Sequence, residues 1–533
     1  MNVGLGLEMS TASPIICGRY LWALSVGVEQ FIEAPSAPTR YNSRIMSASS
    51  QAAEKSQANF ATATATRHYF ERLAQNGIAS SNSVLGQTGL TVSKIGFGGY
   101  RIHEFDPDHR EALKRALLGG CNLIDTSTNY TDGSSERLVG EVIRELIDSS
   151  QLRRDEVVII TKVGYVQGEN LKEAKANPNR YKEMVEFQTD CWHNLSPQFL
   201  ADQITKSLGR MALVTIDFVL LHNPEYYLKA GGTRDVYYQR IERAFQHLET
   251  EVQSGRIRGY GVSSNTFGET ESRSDFTSLP KVLRAAESLT PPHHFRIIQF
   301  PFNLFEAGGA LNSNSERESA LHFAKAKGLG VLTNRPFNAS VKGRLVRLTS
   351  FPTHEEVSVK GDLHIILGRA IEMEKRYPGF PKTPQGLQWA HALRDRLAEI
   401  DDLLIWKDVV FQQIYPTIRQ AMSRLPKEHE SFGQEYTQVM QELLRLVTWD
   451  LENLAQKKAQ MMSDQVNLLA PELKSSAALS QQALRVYLGL HGIGCVLVGM
   501  RTPAYVTDAL TEIQPLSETE SLSVLTRMQR HRS

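Results

Sequence analysis

Val157-Val158-Ile159-Ile160-Thr161-Lys162 is a run of β-branched residues that ends on a cation. An apolar run without polar alternation reads as a strand covered on both faces, the kind found in parallel sheets. Upstream, Asn122-Leu123-Ile124-Asp125 has the same form and closes on an acid, with Tyr130 following five residues later. Downstream, Asp217-Phe218-Val219-Leu220-Leu221-His222 closes on an imidazole. Four ionisable groups therefore stand at or just past the C-terminal ends of successive strands. In a parallel sheet closed into a barrel, those ends share the face where the chemistry is kept. An acid, a cation and two orienting groups gathered there suit proton transfer to a substrate oxygen.

Working outward, the pattern repeats from Leu85. Strands are expected at 94–97, 123–125, 157–162, 217–221, 257–262, 297–300, 330–333 and 495–499, with helical stretches between them. Asp106-Pro107, Ser196-Pro197 and Thr502-Pro503 each pair an N-cap residue with a proline at the first helical position. Eight strands alternating with helices is the count of a (β/α)8 TIM barrel. A doubly wound sheet uses fewer strands and usually a Gly-rich first turn. Gly96-Phe97-Gly98-Gly99 lacks the G-x-G-x-x-G spacing.

Two interruptions stand out. Residues 168–195 lengthen the loop leaving the third strand, and residues of roughly 340–475 separate strands seven and eight, normally one short unit apart. That second insertion is helical by pattern. Leu393, Leu397, Ile400 and Leu404 form one stripe; Tyr436, Met440, Leu443, Val447, Leu451 and Leu454 form another. Pro416 is expected to kink or end the first long helix. The domains are expected as a mostly disordered tail over 1–84, the first part of the barrel over 85–340, a helical insertion over 341–475, the last βα unit over 476–516 and a C-terminal tail over 517–533. The insertion's role stays open between a lid, an oligomer contact and a surface for a protein partner.

Composition narrows the function classes. Of 533 residues, 41% are apolar and 22% charged, ordinary for a globular protein with an ample core. A formal net charge of +1 provides no basic field for nucleic acid or an anionic membrane. Cys17, Cys121, Cys191 and Cys495 are scattered, with neither metal-site spacing nor a disulfide framework, which fits a reducing, cytoplasmic setting. The apolar stretch 21–28 is too short to span a bilayer and lacks a basic flank. An organelle transit segment at the N-terminus stays open. His293-His294 alternate sides and make no metal cluster, so no metal is expected.

With these residues in view, the chain resembles the aldo-keto reductase superfamily. The resemblance rests on an ordered series: 85–93 (LGQTGLTVS), Asp125-Thr126-Ser127 with Tyr130, Ser135-Glu136, Thr161-Lys162, Leu220-Leu221-His222-Asn223-Pro224, 259–263 (GYGVS) and Val498-Gly499-Met500-Arg501. It implies a barrel that binds a nicotinamide cofactor, usually NADPH, without a Rossmann unit. It implies Tyr130 as general acid, with Asp125, Lys162 and His222 as its partners. It also implies cofactor contacts from Ser263 and Gln299, with Ser264 or Asn265 at the family's Asn position. Asn334 stands where the family often places an aromatic residue under the nicotinamide ring. Arg335 is open between a pyrophosphate contact and a salt bridge into the insertion. Gly499 and Arg501 open the last helix, where backbone N–H groups favour a phosphate and Arg501 would meet a 2′-phosphate, selecting NADP.

The chemistry of that set can be stated independently. Reducing a carbonyl needs a hydride on carbon and a proton on oxygen, and a free Tyr, with a pKa of about 10, is too weak an acid. An ammonium at ~4 Å stabilises phenolate by up to about 4 kcal/mol at an effective dielectric of 20, or roughly three pKa units at most. Lys162 is thus expected to bring Tyr130 towards its working range, Asp125 to hold Lys162 charged, and His222 to place the substrate oxygen and help donate the proton. The substrate is expected to be a small carbonyl or alcohol. The competing reading keeps the barrel and nicotinamide but makes the protein a regulatory or redox-sensing subunit with slow turnover, acting through the insertion. A lyase, isomerase or hydrolase on the same scaffold is a third.

Overall fold

In the barrel strands, side chains at alternate positions point inward and form apolar layers; the computed structural model shows how these layers stack. It describes residues 58–289, 292–314, 318–341, 344–376, 388–475 and 477–532. Eight parallel strands close into a barrel: β1 (Ile95–Gly98), β2 (Leu123–Asp125), β3 (Val158–Val163), β4 (Ile216–His222), β5 (Ile257–Ser263), β6 (Phe295–Pro301), β7 (Gly330–Asn334) and β8 (Cys495–Val498). Each pairs in parallel with the next, and β8 returns to β1 through Val496↔Ile95 and Val498↔Phe97. Leu123, Val158, Ile160, Phe218, Leu220, Ile297, Leu332, Cys495 and Leu497 fill the interior as one apolar cluster. The TIM barrel expected from the eight apolar runs is therefore the fold.

Prolines and their caps start helices where the sequence places them. Helix Pro107–Leu118 begins with the Asp106 carboxylate accepting from Asp108 N–H, and helix Pro503–Leu510 begins with Thr502 Oγ1 accepting from Tyr505 N–H. Helix Pro197–Met211 also has its proline in the first turn. The loop leaving β3 forms a small antiparallel sheet from Tyr165–Val166, Val185–Gln188 and Cys191–His193, with helix Gly168–Ala176 beside it.

Within both expected tails the described residues include regular structure. Residues 1–57 lie outside the described residues, but within the remainder of 1–84 there is a helix, Ala63–Gln75, and a strand, Asn82–Val84, paired with Thr91–Ser93. That helix docks at the N-terminal ends of the barrel strands. Tyr69 Oη donates to Leu117 O at 2.6 Å, Arg72 pairs with Glu156, and Ala61 N–H donates to Asp217 Oδ1 at 2.6 Å. Its apolar positions Tyr69, Phe70 and Leu73 are few among polar neighbours, so the pattern is faint in sequence. The C-terminal segment 517–533 likewise contains a helix, Glu518–Arg532, which buries Val524, Leu525 and Met528.

The chain divides into two compact units. The described part of one comprises 58–348 and 469–532 and contains the barrel; that of the other is helical and falls within 349–468. An antiparallel hairpin, Asn338–Val341 with Arg344–Arg347, precedes the helical unit. Within that unit, helices Glu356–Arg376, Trp389–Arg396, Leu403–Val409 and Tyr415–Ser423 pack with the long helix Glu430–Leu469 around Leu363, Trp406, Ile418, Tyr436, Leu443 and Val447. The Leu393–Leu404 stripe is not a single helix. It breaks after Arg396, and Asp402 caps a new start by accepting from Leu404 and Ile405 N–H. Pro416 lies in the first turn of Tyr415–Ser423, after a π-type turn.

Candidate active site

Strand parity builds the site. Above the inward-facing Leu123 the next inward position of β2 is Asp125; above Val158 and Ile160 it is Lys162; above Phe218 and Leu220 it is His222; above Ile297 it is Gln299; above Leu332 it is Asn334. Polar residues thus replace apolar ones in the top layer, and they face one another at the mouth. Tyr130 enters from a short 3₁₀ turn, Tyr130–Gly133, just after β2. Gly99, leaving β1, must be small, because a Cβ there would lie 2.9 Å from the Asp125 carbonyl oxygen.

The Lys162 side chain is fully buried, and its Nζ donates to Asp125 Oδ2 at 2.6 Å, Thr126 O at 2.9 Å and Tyr130 Oη at 3.0 Å. Those three bonds use every ammonium proton. The ammonium also lies 4.6 Å from the centre of the Tyr130 ring. The other oxygen of Asp125 accepts from Gln299 Nε2 at 2.8 Å. Gln299 Oε1 in turn accepts from Ser263 Oγ at 3.1 Å and Asn334 Nδ2 at 2.9 Å. A single hydrogen-bonded chain therefore links Tyr130, Lys162, Asp125, Gln299, Ser263 and Asn334. His222 stands beside it, its ring centre 6.0 Å from that of Tyr130.

Burial opposes charge throughout. It pushes Lys162 down, but Asp125 and Tyr130 outweigh it and the ammonium ends above its ordinary value. Burial raises Asp125 more than Lys162 lowers it. For Tyr130 the expectation needs correction. Burial raises the phenol by more than Lys162 pulls it down, and the Asp125 charge adds to the rise, so the net shift is upward. Lys162 does act in the expected direction, but its charge is largely matched by Asp125. Burial, followed by the Lys162 charge, pushes His222 well below the usual imidazole range. The ring is neutral at neutral pH.

The remaining candidates are more dispersed. Ser264 Oγ turns away into a buried network with Thr266 at 3.1 Å and Thr277 at 3.2 Å. Asn265 is held through its backbone, its N–H donating to the buried Glu225 carboxylate at 2.8 Å. Arg335 has left-handed backbone (φ 55°) and its guanidinium lies 3.5 Å from Glu306 Oε1, an ion pair within the barrel unit. Gly499 follows β8, and a Cβ there would meet nothing within 4 Å. Arg501 stands two residues before helix Pro503–Leu510, close enough to His109 for its charge to help lower that imidazole.

Whether these residues suit a nicotinamide cofactor can be tested on their unspent atoms. Among the described residues, Asn334 Oδ1, Thr333 Oγ1 and Arg335 Nε are buried without a hydrogen-bond partner. Orphaned buried polar atoms are costly and call for a ligand or water. Of these, Asn334 Oδ1 stands at the mouth, its amide nitrogen bonded to the Gln299 that also holds Ser263, where an acceptor suits a carboxamide; Thr333, one position earlier on the strand, faces away from the barrel interior. The open space at Gly499 leaves the backbone approachable beside a helix start. The set fits the group.

The sequence reading passed over several participants. Ser127, inside the quoted Asp125-Thr126-Ser127, lies with its Oγ 3.1 Å from His222 Nδ1. Tyr165 packs edge-on against His222 at 4.7 Å and accepts from Asn223 Nδ2 at 2.8 Å. Another group is His103 and Asp106 in the loop leaving β1 with His109 in the first turn of helix Pro107–Leu118; their ligand-type atoms all lie within 4.8 Å of one another. His109 Nδ1 accepts from His103 N–H at 3.2 Å, so the neutral ring carries its proton on Nε2, 3.7 Å from Asp106 Oδ2. That nitrogen would have to be bare to hold a metal.

The aldo/keto reductase family model matches residues 94–395, more than half of the chain. The chain belongs to the aldo/keto reductase family. Proteins whose sequences resemble it include a putative voltage-gated potassium channel subunit beta from Schizosaccharomyces pombe, 30% identical over 34% of this chain and 44% of that protein. Another is the NADH-specific methylglyoxal reductase of Escherichia coli, 30% identical over 34% of this chain and 51% of that enzyme. An aldo-keto reductase from Metarhizium robertsii is 25% identical over 57% of this chain and 79% of its own. The chain spans about half the length of the first of these curated relatives. Among solved structures, an aldo-keto reductase from Bacillus halodurans aligns with 84% of this chain and 96% of its own, at 16% identity and TM-score 0.44. The barrel is established by its own strand order.

Proposed function

We propose that this aldo/keto reductase is an NADP-dependent oxidoreductase that interconverts a small aldehyde or ketone and its alcohol. Tyr130 gives the proton to the carbonyl oxygen, and Lys162 and Asp125 govern that transfer. The observation that carries the reading is the buried Lys162 ammonium bound at once to Asp125 (2.6 Å) and Tyr130 (3.0 Å). With its pKa raised by burial, Tyr130 stays protonated and available as a donor at neutral pH. Negative charge that develops on the phenol oxygen during transfer meets an ammonium already in place, so little reorganisation is needed. Asp125, held by Gln299, keeps Lys162 charged and pointed at the phenol.

When bound, the nicotinamide supplies the hydride. Ser263, Gln299 and Asn334 would hold its carboxamide, and Arg335 and the backbone at Gly499 its phosphates. Arg501 would take a 2′-phosphate, the feature that favours NADP over NAD. Ser264 and Asn265 contribute by shaping the turn after β5. The test is steady-state turnover of the full chain on a panel of aldehydes and ketones with NADPH and NADH. The reading predicts turnover that collapses in Tyr130→Phe; unchanged reduction in that variant overturns it.

A second reading draws on the likeness to the putative channel subunit and on the 349–468 unit: a nicotinamide-binding barrel that regulates a partner. It predicts tight cofactor binding with slow turnover across the same panel. Neither reading calls for nucleic acid or a membrane, and among the described residues no helix is long and apolar enough to cross a bilayer. The expected cytoplasmic setting belongs to this proposal too; the three described cysteines, all buried, are in no disulfide.

A further inference from the structure

The short turn that carries Tyr130 holds three consecutive residues in the left-handed region: Thr131 (φ 46°, ψ 40°), Asp132 (φ 53°, ψ 47°) and Gly133 (φ 79°, ψ −3°). L-residues enter that region singly; glycine does so freely and a β-branched residue only with strain. Such a conformation persists where its surroundings over-determine it. Here they do so from two sides. Thr131 Oγ1 donates to Ile102 O at 2.6 Å, tying the turn to the loop that leaves β1. Asp132 accepts from Glu169 N–H with both carboxylate oxygens at 3.3 Å, tying it to helix Gly168–Ala176. Gly168 is left-handed as well (φ 53°), and a Cβ there would overlap the Asp132 carboxylate. Asp132 is exposed and its bond is long and shared, whereas the Thr131 bond is short and ends on a buried residue. The threonine hydroxyl is the stronger tie.

The loop on the far side of that tie reaches Tyr130 too. Tyr100 lies edge-on against the Tyr130 ring, 5.2 Å between centres, and Arg101, between Tyr100 and Ile102, has left-handed backbone of its own (φ 67°). Two strained stretches thus brace each other through one hydroxyl, and the phenol sits between Tyr100 and the Lys162 ammonium. We infer that Thr131 is a positioning residue whose hydroxyl, by holding Ile102 O, fixes Tyr130 between the Tyr100 ring and Lys162 Nζ. Valine would keep the shape and lose the bond; glycine would relax the backbone and lose it too; serine would keep it. The placement of the ring stands on geometry alone, while its effect on turnover rests on the reductase reading.

The full chain is prepared deuterated with protonated tyrosine, and Tyr130 and Tyr100 are assigned from the signals missing in Tyr130→Phe and Tyr100→Phe. The native chain should show a strong NOE between the two rings. Thr131→Val and Thr131→Gly should each lose it, and Thr131→Ser should keep it. Thr131→Gly, free of side-chain strain, decides the matter where Thr131→Val does not fold. An NOE that persists in the variant that folds, or one absent from the native chain, overturns the placement. On the panel carbonyl turned over fastest with NADPH, kcat should fall by about 10–100-fold in the same two variants and recover in Thr131→Ser, while NADPH affinity and KM stay near native. A native kcat in a variant that has lost the NOE, or a loss that shows in KM alone, overturns the bearing on proton transfer. No turnover of any panel carbonyl by the native chain sinks the reductase reading and the catalytic consequence with it, while the NOE still decides whether Thr131 holds the ring.

Discussion

The barrel mouth and the helical unit both bury a charged group, and they treat it in opposite ways. In the helical unit, Glu374 is buried and both carboxylate oxygens are saturated. Oε1 accepts from Ala390 N–H at 2.7 Å and Tyr436 Oη at 2.6 Å, and Oε2 from His391 N–H at 3.2 Å, with His391 Nδ1 at 2.5 Å. Nothing on it is left over, and it ties helix Glu356–Arg376 to Trp389–Arg396 and to the long helix. At the mouth, the saturated ion Lys162 passes its constraint on to Tyr130, and Asn334 Oδ1 lies buried and unpartnered among the described residues. A buried charge that is fully consumed locally is architecture; one that holds neighbouring groups ready while they stay unsatisfied points to chemistry.

Tyr130→Phe should break the contrast most sharply. It removes the proton donor but not the packing, so kcat on a reducible carbonyl should fall by about 10²–10⁴-fold, with thermal unfolding nearly unchanged. Retained turnover would place the acid elsewhere. Glu374→Ala probes the other side. It strips four donors of a charged acceptor, and the helical unit should lose about 3 kcal/mol. Hydrogen exchange should report that loss in 356–376 and 389–396, while kcat stays as it was. A fall in kcat equal to that of Tyr130→Phe would erase the distinction between the two regions.

Acid sharpens the comparison further. Burial lowers His193 to about 4, so between pH 6.5 and 4 the unfolded chain binds more protons than the folded one. Stability from this group is complete above pH 6.5 and is lost as pH falls towards 4. Between pH 7.5 and 5 that amounts to about 2 kcal/mol. Denaturant titrations at the two pH values should show a loss of at least this size in the barrel unit, and His193→Gln should remove its share while the contributions of His109 and His222 remain. The smallest effect is expected at Arg501→Gln, where NADPH affinity should weaken relative to NADH by about 10-fold, or ~1.4 kcal/mol, in a fluorescence titration. Equal weakening of both cofactors would remove Arg501 from 2′-phosphate recognition.

The strands were legible because a strand buried on both faces has nowhere to hide its pattern; the runs ending at Asp125, Lys162 and His222 each lie on a barrel strand. Polarity at the end of an apolar run also marked the mouth. What the sequence concealed depended on direction. Ser263 and Ser264 are adjacent and identical, yet one hydroxyl faces Gln299 and the other faces Thr277. Ser127 offered no periodicity to read, because the groups its hydroxyl meets come from Asn129, Lys162 and His222, scattered along the chain. The upward shift of Tyr130 depends on burial depth, which spacing along the chain does not encode. Short helices with three or four apolar anchors, such as Ala63–Gln75, fell below the threshold of pattern.

That short helix has a structural consequence of its own. Asp217 divides its carboxylate between Ala61 N–H on one oxygen and Arg154 and Ile159 N–H on the other. The lead-in to helix Ala63–Gln75 is thereby stitched to the same anchor that aligns the starts of β3 and β4. A version of the protein trimmed to begin at Leu85 would unplug the barrel at the end opposite its mouth, and the strands that present Lys162 and His222 would lose the footing that sets their height.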